Sequence, residues 1–160
     1  MRHGRRHDVA IAPVLVPMIL LLGAPARAAD ADLGTAITTP AEIETLMTGN
    51  TLDGVFEETG EFWVEYYCDS GKSLYDFRNR ISLGKWWVEN TQVCFSYDWS
   101  NYQHAQCFAL YQRKDHALSL VAQDKDGTRL MTFRSNPPVP GDPYHLEQRA
   151  PRGCRPEPSV

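Results

Sequence analysis

The chain has 160 residues, about the length of one domain, and carries a formal net charge of −4 with 42% apolar and 22% charged residues. An aromatic content of 11% excludes a disordered chain, and the acidic balance excludes an obvious nucleic-acid binder. The length also excludes a multi-domain enzyme. These quantities point to a small globular domain and identify no reaction.

Residues 1–28 have the layout of a cleaved secretory signal peptide. A basic stretch at 2–6 precedes an apolar run at 9–22, and Ala-Arg-Ala at 26–28 puts small residues where signal peptidase cleaves. As a helix the apolar run rises only about 21 Å, short of the ~30 Å of a bilayer core. We expect a mature chain that begins at Ala29, has no membrane span, and is periplasmic or secreted.

A short helix is predicted after a flexible segment at 29–38. Thr39 can cap it, Pro40 suits the first helical position, and Glu42 can return a hydrogen bond to the cap. Gly49 favours a left-handed residue just after the helix end. The predicted helix is long enough to cover a barrel end or a sheet edge.

The hydrophobic period then changes to two, with short aromatic and β-branched runs separated by turn residues. Regular spacing of this kind is typical of an antiparallel meander. We therefore predict an all-β fold of about eight strands, a barrel or a sandwich, as one domain over 39–135. The predicted strands are 52–57, 61–68, 73–78, 83–89, 92–97, 105–111, 117–122 and 129–134.

The register of one hairpin can be tested from sequence alone. If Asn90-Thr91 is a two-residue loop, Trp86 faces Phe95 on one side of the sheet and Trp87 faces Cys94 on the other. We expect Trp86 in the core and Trp87 against the outer surface.

Four cysteines in a small exported domain favour two disulfides, although the count alone allows three connectivities. Direct pairing of Cys94 with Cys107 across the next hairpin joins two apolar faces, which is consistent with the register above. By elimination, Cys68 pairs with Cys154. That bond would tie down the tail at 136–160, whose seven prolines forbid an interior strand.

The order of several motifs resembles a family of small secreted bacterial domains of unknown function. The resemblance covers about residues 42–112 and implies a lipocalin-like β-meander, but it supplies no catalytic residues. The motifs that carry it are Leu46–Thr51, Gly60–Tyr67, Gly84–Val88 and Cys94–Tyr97, followed by Cys107.

A weaker likeness concerns residues 66–72, Tyr-Tyr-Cys-Asp-Ser-Gly-Lys, together with the late Cys154. These are similar to features of periplasmic inhibitors of C-type lysozyme, whose inhibitory loop carries Ser-Gly followed by a tyrosine. Here Tyr75 comes one residue later than that pattern requires. An inhibitor of a cell-wall hydrolase is one alternative function, and an unrecognised secreted hydrolase is another.

The loop at 98–104 is the candidate binding segment. Trp99, Tyr102 and His104 stand in a polar loop between two strands, and aromatic side chains on held loops often recognise partners. The alternative is that the two aromatic residues fold over the barrel as a lid.

No catalytic residue, cofactor or metal site is predicted. The acidic pairs Glu57-Glu58 and Glu61 with Glu65 could form a glycosidase dyad, but Glu61 and Glu65 are interpreted as solvated carboxylates on the polar face of a strand. We expect a non-enzymatic exported domain that binds a small molecule or an envelope protein, with no nucleic acid as partner. The oligomeric state stays open.

Overall fold

The computed structural model describes residues 33–155, so the predicted signal peptide lies outside the described residues. Ten strands and two α-helices make up this part of the chain, together with a short 3-10 turn at Asp98–Ser100. The strands and helices are β1 (Thr35–Ala36), α1 (Pro40–Met47), β2 (Asn50–Phe56), β3 (Phe62–Tyr67), β4 (Lys72–Phe77), β5 (Arg80–Glu89), β6 (Gln92–Tyr97), β7 (Gln106–Gln112), β8 (Leu118–Gln123), β9 (Arg129–Ser135), β10 (Val139–Pro140) and α2 (Leu146–Arg149).

Strands β2 to β9 form a closed antiparallel barrel. Each pairs with the next along the chain, and β9 returns to pair with β2, where Gly54 faces Ser135 and Phe56 faces Phe133. The all-β fold class is therefore confirmed, as a barrel and not a sandwich. Gly54 permits this seam because a Cβ at that position would lie 1.8 Å from the carbonyl oxygen of Arg134.

Alternation along the strands directs one set of large side chains into the barrel. Trp86 pairs with Phe95 and Val93 with Phe108, and these four residues belong to one buried core. The register predicted for the β5–β6 hairpin is confirmed, and so is the burial of Trp86, which is 8% exposed.

Helix α1 closes one end of the barrel. Ile43 and Met47 are fully buried in the same core as Trp86 and Val93. The helix begins after Thr39, whose hydroxyl donates to the Glu42 carboxylate at 3.2 Å and makes no bond to the backbone. Gly49 takes the predicted left-handed conformation, with φ of 68°.

Both chain termini of the described region pack on the barrel. Residues 33–38 were expected to form part of a flexible segment, yet Leu33 and Ile37 are buried and β1 pairs with β7. At the other end β10 pairs with β2, and Leu146 of α2 is fully buried against Val64 and Leu74 on the outer face. The prolines of the tail thus allow only a two-residue edge strand.

Two disulfides fasten this arrangement. Cys94 lies opposite Cys107 on β6 and β7, with Cα atoms 4.0 Å apart. Cys68 joins Cys154, with Cα atoms 5.5 Å apart, and so holds the tail beside the end of β3. Within residues 33–155 no helix is long and apolar enough to cross a membrane.

Candidate functional site

The barrel contains a cavity of about 240 Å3 at the end opposite α1. The cavity reaches solvent, since Trp99 and Gln106 line it and are both exposed. Most of its wall is aromatic or aliphatic. The lining residues are Phe56, Trp63, Glu65, Tyr67, Tyr75, Phe95, Tyr97, Trp99, Gln106, Phe108, Leu120, Met131 and Phe133.

Glu65 is the carboxyl group on this wall, and it is 3% exposed. It follows Trp63 by two residues and precedes Tyr67 by two, so strand alternation turns all three inward. The Tyr67 hydroxyl donates to Oε2 at 3.1 Å, and the Tyr97 hydroxyl lies 3.1 and 3.0 Å from Oε1 and Oε2. The strands thus hold a carboxyl group in an aromatic chamber, bonded by phenols.

Burial raises the pKa of Glu65 to about 7, although the hydroxyls of Ser73, Tyr97 and Tyr67 act in the opposite direction. Within residues 33–155, the side chains that shift its pKa are these hydroxyls, with no Lys, Arg or His among them. Burial and the Glu65 charge in turn raise the pKa of Tyr67 and Tyr97 well above the ordinary tyrosine value. The phenols therefore stay neutral donors at physiological pH, while Glu65 titrates close to it.

Trp99 lies between the solvent and the Tyr97 ring, whose hydroxyl donates to Glu65. Its ring stacks on Tyr97 with centroids 5.6 Å apart and planes 12° apart, while 65% of the residue remains exposed. Ser100 donates to the Tyr97 carbonyl at 2.8 Å and the Tyr102 amide donates to it at 3.0 Å, which holds the loop on the strand end. Trp99 therefore forms part of the cavity mouth.

The other candidate loop residues lie outside the cavity. Tyr102 faces Lys85, whose Nζ is 5.0 Å from the ring centroid, and His104 is an exposed residue that does not line the chamber. Of the three residues proposed from the sequence, the structure places Trp99 alone at the mouth.

The interpretation of Glu65 as a solvated carboxylate was wrong, because this side chain faces the barrel interior. Its spacing of two residues from both Trp63 and Tyr67 was the signal in the sequence that could have identified Glu65 as an inward-facing residue.

The other acidic residues of the predicted pairs lie outside the cavity. Glu61 precedes β3 and pairs with Arg78. Glu57 pairs with Arg134, and Glu58 accepts from the Thr132 amide at 2.8 Å. Among the carboxyl groups of the described region Glu65 alone lines the cavity, so the acidic pairs do not form a dyad there.

One further feature of the cavity wall is polar. The indole N–H of Trp63 is buried and finds no acceptor within the described part of the chain.

A separate cluster lies on the outer face of the barrel, where Glu89 and the sulfurs of Cys94 and Cys107 lie within 4.8 Å of one another. Both sulfurs belong to the disulfide, so they are not thiolate ligands for a metal.

The Ser70-Gly71 turn, singled out for its likeness to an inhibitory loop, is engaged by the fold. Ser70 Oγ donates to the Cys154 carbonyl at 2.9 Å, and the Gly71 carbonyl accepts from the Trp86 amide at 2.9 Å. The turn thus contributes to the anchoring of the tail.

No protein-family model, curated protein or solved structure matches this chain. The likenesses to secreted domains of unknown function and to lysozyme inhibitors therefore stay interpretations of the sequence. The barrel itself is compatible with a lipocalin-like fold.

Proposed function

We propose that this protein is an exported, non-enzymatic binding protein that holds a small, largely apolar molecule inside its barrel. The observation that carries the proposal is the aromatic cavity, which is open at one end and contains a buried carboxyl group. Ligand sites are typically concave and apolar, with a few polar groups that fix orientation. Glu65 and the two phenols bonded to it have that character.

The volume sets the size of the ligand. An apolar cavity of about 150 Å3 accommodates benzene, and sites for drug-sized ligands begin at about 300 Å3. A cavity of about 240 Å3 suits one aromatic ring with a short substituent, or two fused rings. Burial of about 200 Å2 of apolar ligand surface contributes about 5 kcal/mol, and the lost translational and rotational freedom of the ligand offsets part of this contribution. The dissociation constant is therefore at best about 0.2 mM. Titrations should extend to the solubility limit of the ligand.

Export is supported by the two disulfides, since such bonds persist in oxidising compartments. The signal-like sequence at 1–28 points the same way. An intact mass that begins at Ala29 and lacks four hydrogens would support this part of the proposal. A mature protein with free thiols would contradict it.

The test of binding is calorimetric titration with propylbenzene, a neutral probe of suitable size, on the wild type and on a matched pair of variants. Met131→Trp adds bulk to the cavity wall, whereas Leu130→Trp adds the same bulk to a neighbouring side chain that is 63% exposed and does not line this cavity. We expect one site in the wild type and in Leu130→Trp, and at least tenfold weaker binding in Met131→Trp. Equal binding by both variants would contradict a site inside the barrel.

A further inference from the structure

We infer that the ligand is a small organic cation: a protonated amine on an apolar body, whose charged nitrogen binds the Glu65 carboxylate inside the barrel. This inference rests on the proposed function and specifies its ligand class. It depends on the placement of one carboxyl group, on the groups that surround it and on the aromatic faces of the same cavity.

The carboxylate retains unused acceptor capacity. An ionised carboxylate offers about four lone-pair positions. The hydroxyls of Tyr67 and Tyr97 donate to Glu65, and the Ser73 hydroxyl also stabilises its charged form. None of these three groups carries a positive charge. A buried carboxylate is costly unless a cation compensates it, so a cationic ligand supplies what the barrel wall lacks at this point.

The rings around Glu65 favour the same charge. Tyr75, Phe95, Tyr97 and Trp63 line the cavity with it, and their π faces attract cations. An anion would meet both the Glu65 charge and these faces. A neutral ligand would fill the chamber but would leave the carboxylate uncompensated.

The same groups determine how the affinity for a cation depends on pH. Facing Glu65 are Tyr67 on its own strand, Ser73 and Tyr75 on β4, and Tyr97 on β6, all of which are hydroxyl side chains. Because the pKa of each tyrosine is raised, Glu65 is the group among them that titrates near neutral pH. An alkylammonium resembles the lysine side chain and keeps its proton up to about pH 10. Below the Glu65 pKa of about 7, a cation must displace the Glu65 proton, so its affinity falls about tenfold per pH unit.

The experiment compares three probes by calorimetry on the full mature chain. Phenethylamine, propylbenzene and phenylpropanoate share a phenyl ring on a two-carbon chain, which ends in an ammonium, a methyl and a carboxylate group respectively. At about pH 8 we expect phenethylamine to bind at least tenfold tighter than propylbenzene, and phenylpropanoate to bind weakest. At about pH 6 the affinity for phenethylamine should fall about tenfold, with nearly one proton released per ligand. The affinity for propylbenzene should not fall with it.

Two variants and a control locate the effect. Glu65→Gln keeps the shape of the side chain and should bind phenethylamine and propylbenzene alike, with no pH dependence. Tyr97→Phe keeps the ring but removes a donor to the carboxylate, so it should keep the preference for the amine and move its pH midpoint upward. Glu89→Gln removes an exposed carboxylate outside the cavity. It should change neither the affinity for phenethylamine nor the pH dependence of that affinity.

The outcomes separate the two proposals. Propylbenzene binding with no preference for the amine, or a preference that survives Glu65→Gln, would overturn the cation inference and leave the binding function standing. Tighter binding of phenylpropanoate would overturn it too. If phenethylamine and phenylpropanoate do not bind a folded wild type at millimolar concentration, and propylbenzene does not bind it up to its solubility limit, both proposals fail. Binding of propylbenzene by Glu65→Gln shows that this variant is folded.

Discussion

The two ends of the barrel contain similar residues but differ in how completely those residues are packed. At the closed end, α1 inserts Ile43 and Met47 over Trp86 and Val93, and all four are buried in one core. At the open end, rings of comparable size surround a cavity of about 240 Å3 and a buried carboxyl group. The well-packed closed end shows that this barrel can be filled by side chains. The unfilled cavity at the open end therefore makes the protein less stable than a filled barrel would be. Packing therefore stabilises the fold at the helix end, while the other end keeps an open cavity.

The contrast extends to polarity. The indole N–H of Trp86 donates to the Cys68 carbonyl at 3.3 Å, so this buried donor is satisfied. At the open end, the Trp63 N–H has no acceptor in the described region, and Glu65 has neutral partners. Buried polar groups are usually satisfied, and each exception requires an explanation. The polar groups thus distinguish the two ends as clearly as the volume does.

The largest expected effect comes from breaking the closed end. Trp86→Ala removes a ring that packs edge-to-face on Tyr67, with centroids 6.0 Å apart, within the main buried core. We expect it to lower the free energy of unfolding by about 3–5 kcal/mol, measured by denaturant titration. Trp87→Ala is the matched control, since its ring is half-buried on the outer face and should cost less. Equal losses would contradict the assignment of Trp86 as the core partner.

The next effect concerns pH and the open end. Burial raises the pKa of Glu65 from its ordinary value of 4.5 to about 7, so the folded state binds this proton more tightly than the unfolded state does. The stabilisation is complete below about pH 4.5 and is lost as the pH rises through about 7, a change of about 3 kcal/mol. The Glu65→Gln variant does not lose this stabilisation at high pH, because glutamine has no proton to release in this range. The difference in unfolding free energy between wild type and variant, measured across this range, should therefore move by about that amount in favour of the variant.

A constant difference across that range would contradict the buried, proton-linked Glu65. Denaturant titrations of Glu61→Gln over the same pH range provide the control, because Glu61 lies outside the cavity, where it pairs with Arg78. No change of this size is expected from it.

The next prediction tests closure of the barrel at the pairing of β2 with β9. Gly54→Ala places a methyl group 1.8 Å from the Arg134 carbonyl oxygen, so β2 and β9 must separate. We expect a loss of about 1–3 kcal/mol, measured by thermal unfolding, with a larger rise in amide exchange along β9 than along β5. Gly60→Ala is the control for volume, since a Cβ there has open space, although its φ of 70° adds local strain. If Gly54→Ala left the stability unchanged, β2 and β9 would be less closely packed than their pairing indicates.

Much of the fold could be predicted because it depends on local patterns. The Asn90-Thr91 loop sets the register that places Trp86 opposite Phe95, and the strand period of two needs no tertiary information. The docking of Leu146 on the outer face and the pairing of Gly54 with Ser135 join residues far apart in sequence, and no local pattern encodes them.

The candidate site was harder to predict for a related reason. Strand alternation groups Glu65 with Trp63 and Tyr67, yet only the closed barrel shows that this face is the interior and that space remains there. The side-chain volumes of eight strands together decide whether a barrel is filled. Trp99 could be proposed because a large aromatic residue in a polar loop stands out on its own.

The smallest expected change in stability belongs to Trp99, and it bears most directly on the comparison of the two ends. The ring is 65% exposed and makes one stacked contact with Tyr97. Such a pair is worth about 0.5–1.5 kcal/mol, so Trp99→Ala should lower the melting temperature by only a few degrees. It should nevertheless weaken the binding of propylbenzene, because it removes part of the cavity mouth. Tyr102→Ala, in the same loop but outside the cavity, should leave binding intact. If Trp99→Ala instead destabilises the protein as much as Trp86→Ala does, the loop is a structural lid, and the open end would depend on packing in the same way as the closed one.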